Sequence, residues 1–165
     1  EEVAREVGSS DIAYVQVEAV LAQCDLFLNE GAALQEKTQK AQKSWAQKEQ
    51  NLQAEAAQLQ KKYQKGLITT NDAQAQQQSI EKRVASYQSS AQKEAQALDE
   101  ENYVFTNRAQ DLLHRAVQEI NGDKKYKLII NATALIDADS TLNITPAVLA
   151  KVNELYAADK KAVKK

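Results

Sequence analysis

Apolar positions follow two rhythms along this chain, and each predicts a different kind of element. Near the start, Ile12-Ala13-Tyr14-Val15-Gln16-Val17 is a short β-branched run with one polar residue, the composition of a strand. Lys127-Leu128-Ile129-Ile130-Asn131-Ala132 repeats that signal near the other end. Between them the rhythm changes. Thr38, Trp45, Leu52 and Leu59 recur every seven residues, and Leu34 with Ala41, then Ala56 with Tyr63, supply a second seam position after a one-residue shift. On the return, Val84, Ala91, Leu98, Phe105 and Leu112 are again seven apart. Ala95, Ala109 and Ala116 lie four beyond three of them, and Ile80 and Tyr87 extend the stripe. An apolar stripe of this period on one face marks helices packed along a seam.

The stretch Lys65-Gly66-Leu67-Ile68-Thr69-Thr70-Asn71-Asp72 breaks the period. Gly66 suits a helix C-cap, and Thr70, Asn71 or Asp72 can cap the next helix. The pattern predicts an antiparallel pair of about 35 and 50 residues, roughly 50 and 75 Å long. The first starts between Asp25 and Glu30, after a helical turn over Glu18–Gln23 that points Val20 and Leu21 inward. Asn121-Gly122-Asp123 stops the second. From Leu98 onward Tyr103, Val104, Leu113, Val117 and Ile120 widen the apolar stripe, so this end is expected to enter a body.

Ala134-Leu135-Ile136-Asp137-Ala138 reads as a third strand, giving a base of three or four short strands, with Asp139-Ser140 as a turn. Thr145-Pro146 reads as a helix start, with Thr145 the N-cap and Val148, Leu149, Val152 and Leu155 the apolar face. Glu1–Ser10 reads as a weakly ordered lead-in or residual tag, and residues 158–165 as a frayed, lysine-rich end. Strands need partners, so the two ends of the chain are expected to meet. The expected fold is α+β. A small β-containing body (11–30 and 100–157, discontinuous in sequence) carries a long protruding helical hairpin (31–99, tip near 65–72).

Composition sharpens this picture. The 165 residues suit one domain, and with four Gly and one Pro the chain is not loop-rich. The net charge is −2, yet Leu34 to Ala97 holds ten Lys or Arg against six Asp or Glu. The hairpin is basic and the remainder acidic, which favours anionic partners near the tip. The one cysteine, Cys24, forms no internal disulfide and is expected to be a small buried apolar residue. The chain holds no methionine, position 1 included, as expected of a processed or shortened chain; a removed export signal would leave no trace.

Candidate chemistry is sparse. The single His114 has no triad-like company, Asp137 and Asp139 sit where turn acids are common, and no Gly-rich phosphate loop is present. No enzyme activity and no cofactor are expected. Nucleic-acid binding is disfavoured by the acidic balance and the lack of a base-stacking motif.

The order of these segments resembles the Skp/OmpH family of periplasmic chaperones, from about Asp11 to Tyr156. Ile12-Ala13-Tyr14-Val15-Gln16-Val17 with Val20-Leu21 is similar to the family's first strand and short helix. Leu128-Ile129-Ile130-Asn131-Ala132 through Leu135-Ile136-Asp137 is similar to its C-terminal strands. Leu142-Asn143-Ile144-Thr145-Pro146-Ala147-Val148-Leu149 is similar to its ending. The resemblance implies a homotrimer in which strands from three subunits form a barrel-like body and three hairpins surround a cavity. That cavity would hold unfolded outer-membrane proteins in the periplasm, without nucleotide.

On this reading Ile12, Tyr14, Val15, Val17, Leu128, Ile129, Ile130 and Leu135 are the oligomerisation candidates. A body of some sixty residues is also hard to stabilise alone. Trp45 and Tyr63 on the shaft and Leu67 and Ile68 at the tip are the apolar client-binding candidates. Lys61, Lys62, Lys65, Lys82 and Arg83 are the basic ones, and the tips would make weak contact with anionic membranes. Two other readings compete. A prefoldin-like chaperone would place its strands between the helices rather than outside them. A coiled-coil adaptor of the cell envelope would show stronger heptads and no β base.

Overall fold

The computed structural model describes residues 11–164; the lead-in Glu1–Ser10 and the final Lys165 lie outside the described residues. The elements run β1 (Ile12–Val15), α1 (Val17–Gln23), a π-helical turn (Phe27–Gly31), α2 (Ala32–Gln64), α3 (Thr70–Ile120), β2 (Leu128–Asn131) and α4 (Thr145–Val163). Two 3-10 turns, Ala132–Ala134 and Ser140–Leu142, link β2 to α4. This is the expected α+β fold with its helical hairpin. The chain divides into two compact units, one comprising residues up to Ala32 and from Val104 onward, the other Ala33–Tyr103.

In the first unit the two ends of the chain meet as a parallel strand pair, Ile12 opposite Leu128 through Val15 opposite Asn131. Parallel strands need a crossover, and everything from residue 16 to 127 serves as that connection. β1 alternates, with Ala13 and Val15 buried and Ile12 and Tyr14 on the other face. Its second edge takes a single bridge to Asn143, where the Ile144 N–H donates to the Tyr14 carbonyl at 3.0 Å.

Among the described residues the sheet has two strands, so the expected base of three or four is corrected. The segment from Ala134 to Ala138 is not a strand. The Asn131 carboxamide accepts the Thr133 N–H at 3.3 Å and folds Ala132–Ala134 into a 3-10 turn. Asp139 repeats the device with the Thr141 N–H at 2.9 Å. Side chains that bond their own backbone two residues on compete with sheet pairing. Leu135 between them stays extended, and Ile136 is fully exposed.

α4 also departs from expectation. Thr145 is its first residue rather than its N-cap. The Thr145 hydroxyl instead accepts the Gln16 N–H at 2.9 Å, tying the start of α4 to the start of α1, and donates to Asn143 Oδ1. A second tie joins the same segments, the Asp25 N–H donating to Asn153 Oδ1 at 2.8 Å. The helix continues to Val163, past the point where fraying was expected. Arg115 pairs with Asp159, and Lys160 lies 5.1 Å from the Tyr156 ring centroid, so these last turns have side-chain partners.

The core of this unit gathers Val15, Val20, Cys24, Leu26, Ala109, Leu112, Ala116, Val148, Val152 and Tyr156. Cys24 is buried there, as expected of a small apolar residue. Tyr103 and Val104, expected to be buried, are solvent-exposed at 70% and 55%. α3 buries only the stripe continued by Ala109, Leu112 and Ala116, and both residues lie off it. At the π-helical turn, a Cβ on Gly31 would stand 2.9 Å from Phe105 Cζ and 3.0 Å from Phe27 Cδ2, so a larger residue there would have to displace these rings. Phe27 and Phe105 themselves make a tilted ring pair, centroids 6.4 Å apart.

In the second unit α2 and α3 run antiparallel, their full lengths being 33 and 51 residues. Ala41, Leu59, Ile80 and Leu98 are buried, and Leu34, Thr38, Trp45, Leu52, Ala56, Val84, Tyr87, Ala91 and Ala95 are half-buried. Of the predicted seam residues in this unit, Tyr63 alone is exposed. The turn is a complete Schellman motif. Gly66 takes a positive φ of 69°, its N–H bonds the Tyr63 carbonyl, and the Leu67 N–H bonds the Lys62 carbonyl. The cap of α3 is Thr69, one residue before the expected candidates, its hydroxyl accepting the Asp72 N–H at 3.1 Å.

Candidate functional site: an apolar sheet face and a one-sided hairpin groove

The parallel register fixes which side chains of the first unit share a face. Ala13, Val15 and Ile129 lie toward the core of their own chain, and Val17 packs against that core as well. Ile12, Tyr14, Leu128 and Ile130 lie together on the other face. Ile12 is 44% exposed and Leu128 51%. Tyr14 and Ile130 are half-buried, as is Leu135. Of the eight oligomerisation candidates, therefore, three are committed to the chain's own interior. Of the others, Ile12, Tyr14, Leu128 and Ile130 form an apolar patch on the sheet, and Leu135 lies outside it.

The hairpin has two unlike sides. At about 100° per residue, Glu55 and Arg83 flank the seam on one side, whereas Glu49, Gln53, Gln60, Glu81 and Gln88 flank it on the other. The first side is bolted. Arg83 donates two hydrogen bonds to the Glu55 carboxylate, at 2.8 and 2.5 Å, and Lys37 pairs with Glu101. The Arg83 hydrogen bond, aided by its charge, holds the Glu55 carboxyl below the usual carboxylate value. Trp45, half-buried at the seam, donates its indole N–H to Glu94 at 2.7 Å.

The second side is open. A groove of about 520 Å³ runs over Leu52, Ala56, Ile80, Val84 and Tyr87, edged by Glu49, Gln53, Glu81 and Gln88. It shares Ala56, Gln77 and Glu81 with a further depression of about 960 Å³ that reaches Tyr63 and Thr70. The sequence reading missed this groove. Its floor residues were visible as seam positions, but which side would be bridged depends on individual ion pairs.

The client-binding candidates scatter. Tyr63, 49% exposed, lines the tip end of the groove. Leu67 is 69% exposed at the turn, and Ile68 beside it is half-buried. Lys61, Lys62, Lys65 and Lys82 are exposed. Arg83 is occupied by Glu55, and Trp45 by the seam and Glu94. No cluster of His, Cys, Asp or Glu able to hold a metal occurs among the described residues.

With this geometry in place, the chain's relationships can be read. It belongs to the OmpH-like outer membrane protein family, whose model matches residues 11–152. Its fold is also similar to the crystal structure of a candidate outer membrane chaperone (OmpH-like) from Caulobacter crescentus CB15. The TM-score is 0.73 at 16% identity, covering 88% of this chain and 85% of that one. No protein of curated function matches the chain.

Proposed function

We propose that this protein is an ATP-independent holdase that keeps unfolded outer-membrane proteins from aggregating in the periplasm. It would work as a homotrimer whose hairpins surround the client. The observation that carries this reading is the apolar face of Tyr14, Leu128 and Ile130 with Ile12, on which Leu128 is 51% exposed, in a sheet that has two strands among the described residues. Uncovered apolar faces and open strand edges are liabilities that assembly removes. The number three comes from the family resemblance. Family membership and the likeness in fold to a candidate chaperone point the same way.

The hairpin suits holding rather than catalysis. Long helices with a thin seam present many weak sites, and several hairpins on one assembly gain strength by number. Lys61, Lys62 and Lys65 at the tip are in no ion pair among the described residues, which gives the tips a weak attraction for anionic membranes.

The test is native mass measurement together with suppression of aggregation of a urea-unfolded β-barrel protein diluted into buffer. The wild type should assemble as a trimer and suppress aggregation at one trimer per client. An I12K/L128K variant should lose both properties. A trimer without effect on aggregation would favour the envelope-adaptor reading, and a compact monomer would remove both readings.

A further inference from the structure

The two sides of the hairpin differ in a way that holding a client at random does not require. One side is crossed by side-chain bridges; the other offers an apolar floor between polar walls. The floor is made by Leu52, Ile80, Val84 and Tyr87. The walls are mostly glutamines, such as Gln53, Gln77 and Gln88, with Glu49 and Glu81 as the charged groups. The lining contains two carboxylates and no cation. This local chemistry is opposite to that of the hairpin as a whole, which is basic.

Resting on the holdase reading above, we infer that this groove docks one extended segment of the unfolded client, about six residues long, with alternating apolar side chains and cationic residues among the polar ones. Three features support that occupant. The first is length. Glu49 and Tyr63 are fourteen residue steps apart on the helix, about 21 Å at 1.5 Å per residue, which equals about six residues of extended chain at about 3.3 Å each. The second is pattern. Strands of outer-membrane barrels alternate apolar and polar residues with a period of two. An extended segment would lay about three apolar side chains on the floor and turn the rest toward the glutamines. The third is charge. Two carboxylates with no cation in the lining favour Lys or Arg on the segment.

Glutamine carboxamides both donate and accept hydrogen bonds. They can therefore serve any backbone N–H or carbonyl that an extended client presents, without reading its sequence. The selectivity left is for alternation and for charge. A helical segment lacks the first feature and an acidic segment the second.

The test uses the assembled full chain and labelled ten-residue peptides read by fluorescence anisotropy. The main probe has Leu at every second position, with Lys and Gln between. Ala85 and Ala54 are both exposed, but only Ala85 lines the groove. A85W should weaken binding of this peptide at least ten-fold, while A54W, adding the same side chain elsewhere on the hairpin, should leave it unchanged. Circular dichroism checks that both variants keep wild-type helicity. E49Q/E81Q should keep binding but remove the preference, at least three-fold in the wild type, for Lys-bearing over Glu-bearing peptides.

Equal binding by A85W and A54W would overturn the assignment. So would equal binding of a peptide of the same composition with its Leu residues at helical spacing. Aggregation suppression in the same preparations separates the two levels. If the wild type suppresses aggregation but A85W binds peptide normally, the groove assignment fails and the holdase reading stands. If the wild type binds the alternating peptide yet suppresses nothing, the holdase reading fails.

Discussion

Helix α3 contributes to both units, yet the residues around it are held in different ways. In the first unit Val20, Leu26, Ala116 and Val148 are 0% exposed, and the segments that flank α1 are tied to α4 by backbone–side-chain bonds. In the second, the best-buried seam residues, Ile80 and Leu98, keep 4% exposure, and most seam positions are only half-buried. The hairpin compensates with polar bridges on one side and leaves the other open. Helix pairs without a deep core are marginal, so folding free energy should be concentrated where the ends of the chain meet. The hairpin can then open locally while the first unit stays folded.

The largest test of this contrast is Leu26→Ala. Removing a fully buried leucine should cost about 2–5 kcal/mol and lower the urea midpoint of the whole protein. A loss much smaller than that would mean the first unit is not the stable partner. Ile80→Ala should matter less and stay local, because its surroundings are already open to solvent. Hydrogen exchange should quicken across the hairpin around residues 49–88, while the amides of α4 keep their protection. Spread of the effect into α4 would erase the distinction between the units.

The smallest expected effect comes from the Arg83–Glu55 bridge. Glu55 has a lowered pKa in the folded protein. Its contribution is therefore present above the unfolded carboxylate value of about 4.3 and is lost as pH falls through the lower folded value. Hairpin hydrogen exchange corrected for intrinsic rates should show this loosening below about pH 4, and E55Q should remove that part of the pH dependence. An unchanged profile in E55Q would mean that the bridge, although formed, does not hold the helices together.

Much of this arrangement was legible in the sequence because burial repeats with the helix. Leu34, Ala41, Leu59, Ile80 and Leu98 fell where the seven-residue stripe put them, and Gly66 marked the turn because αL backbone there needs a residue without Cβ. The failures at the two turns and at the start of α4 share one cause. Asn131 and Asp139 bend their own backbone, and the Thr145 hydroxyl bonds Gln16 rather than its own helix. Each outcome depends on which of several available donors a polar side chain chooses, and no periodicity encodes that choice. The groove escaped for the same reason, since its open side is defined by the absence of bridges like that between Arg83 and Glu55.

The parallel pairing of β1 with β2 has a consequence for how the chain reaches its native state. Residues 16 to 127, 112 in all, must be spanned before the first strand finds its neighbour. Zipping α2 against α3 first leaves only the short stretches before α2 and after α3 as slack, easing closure by about 1 kcal/mol. Local contacts also form fastest. The rods thus act as a splint during synthesis, and β1 waits for its neighbour until both long helices and β2 have been delivered.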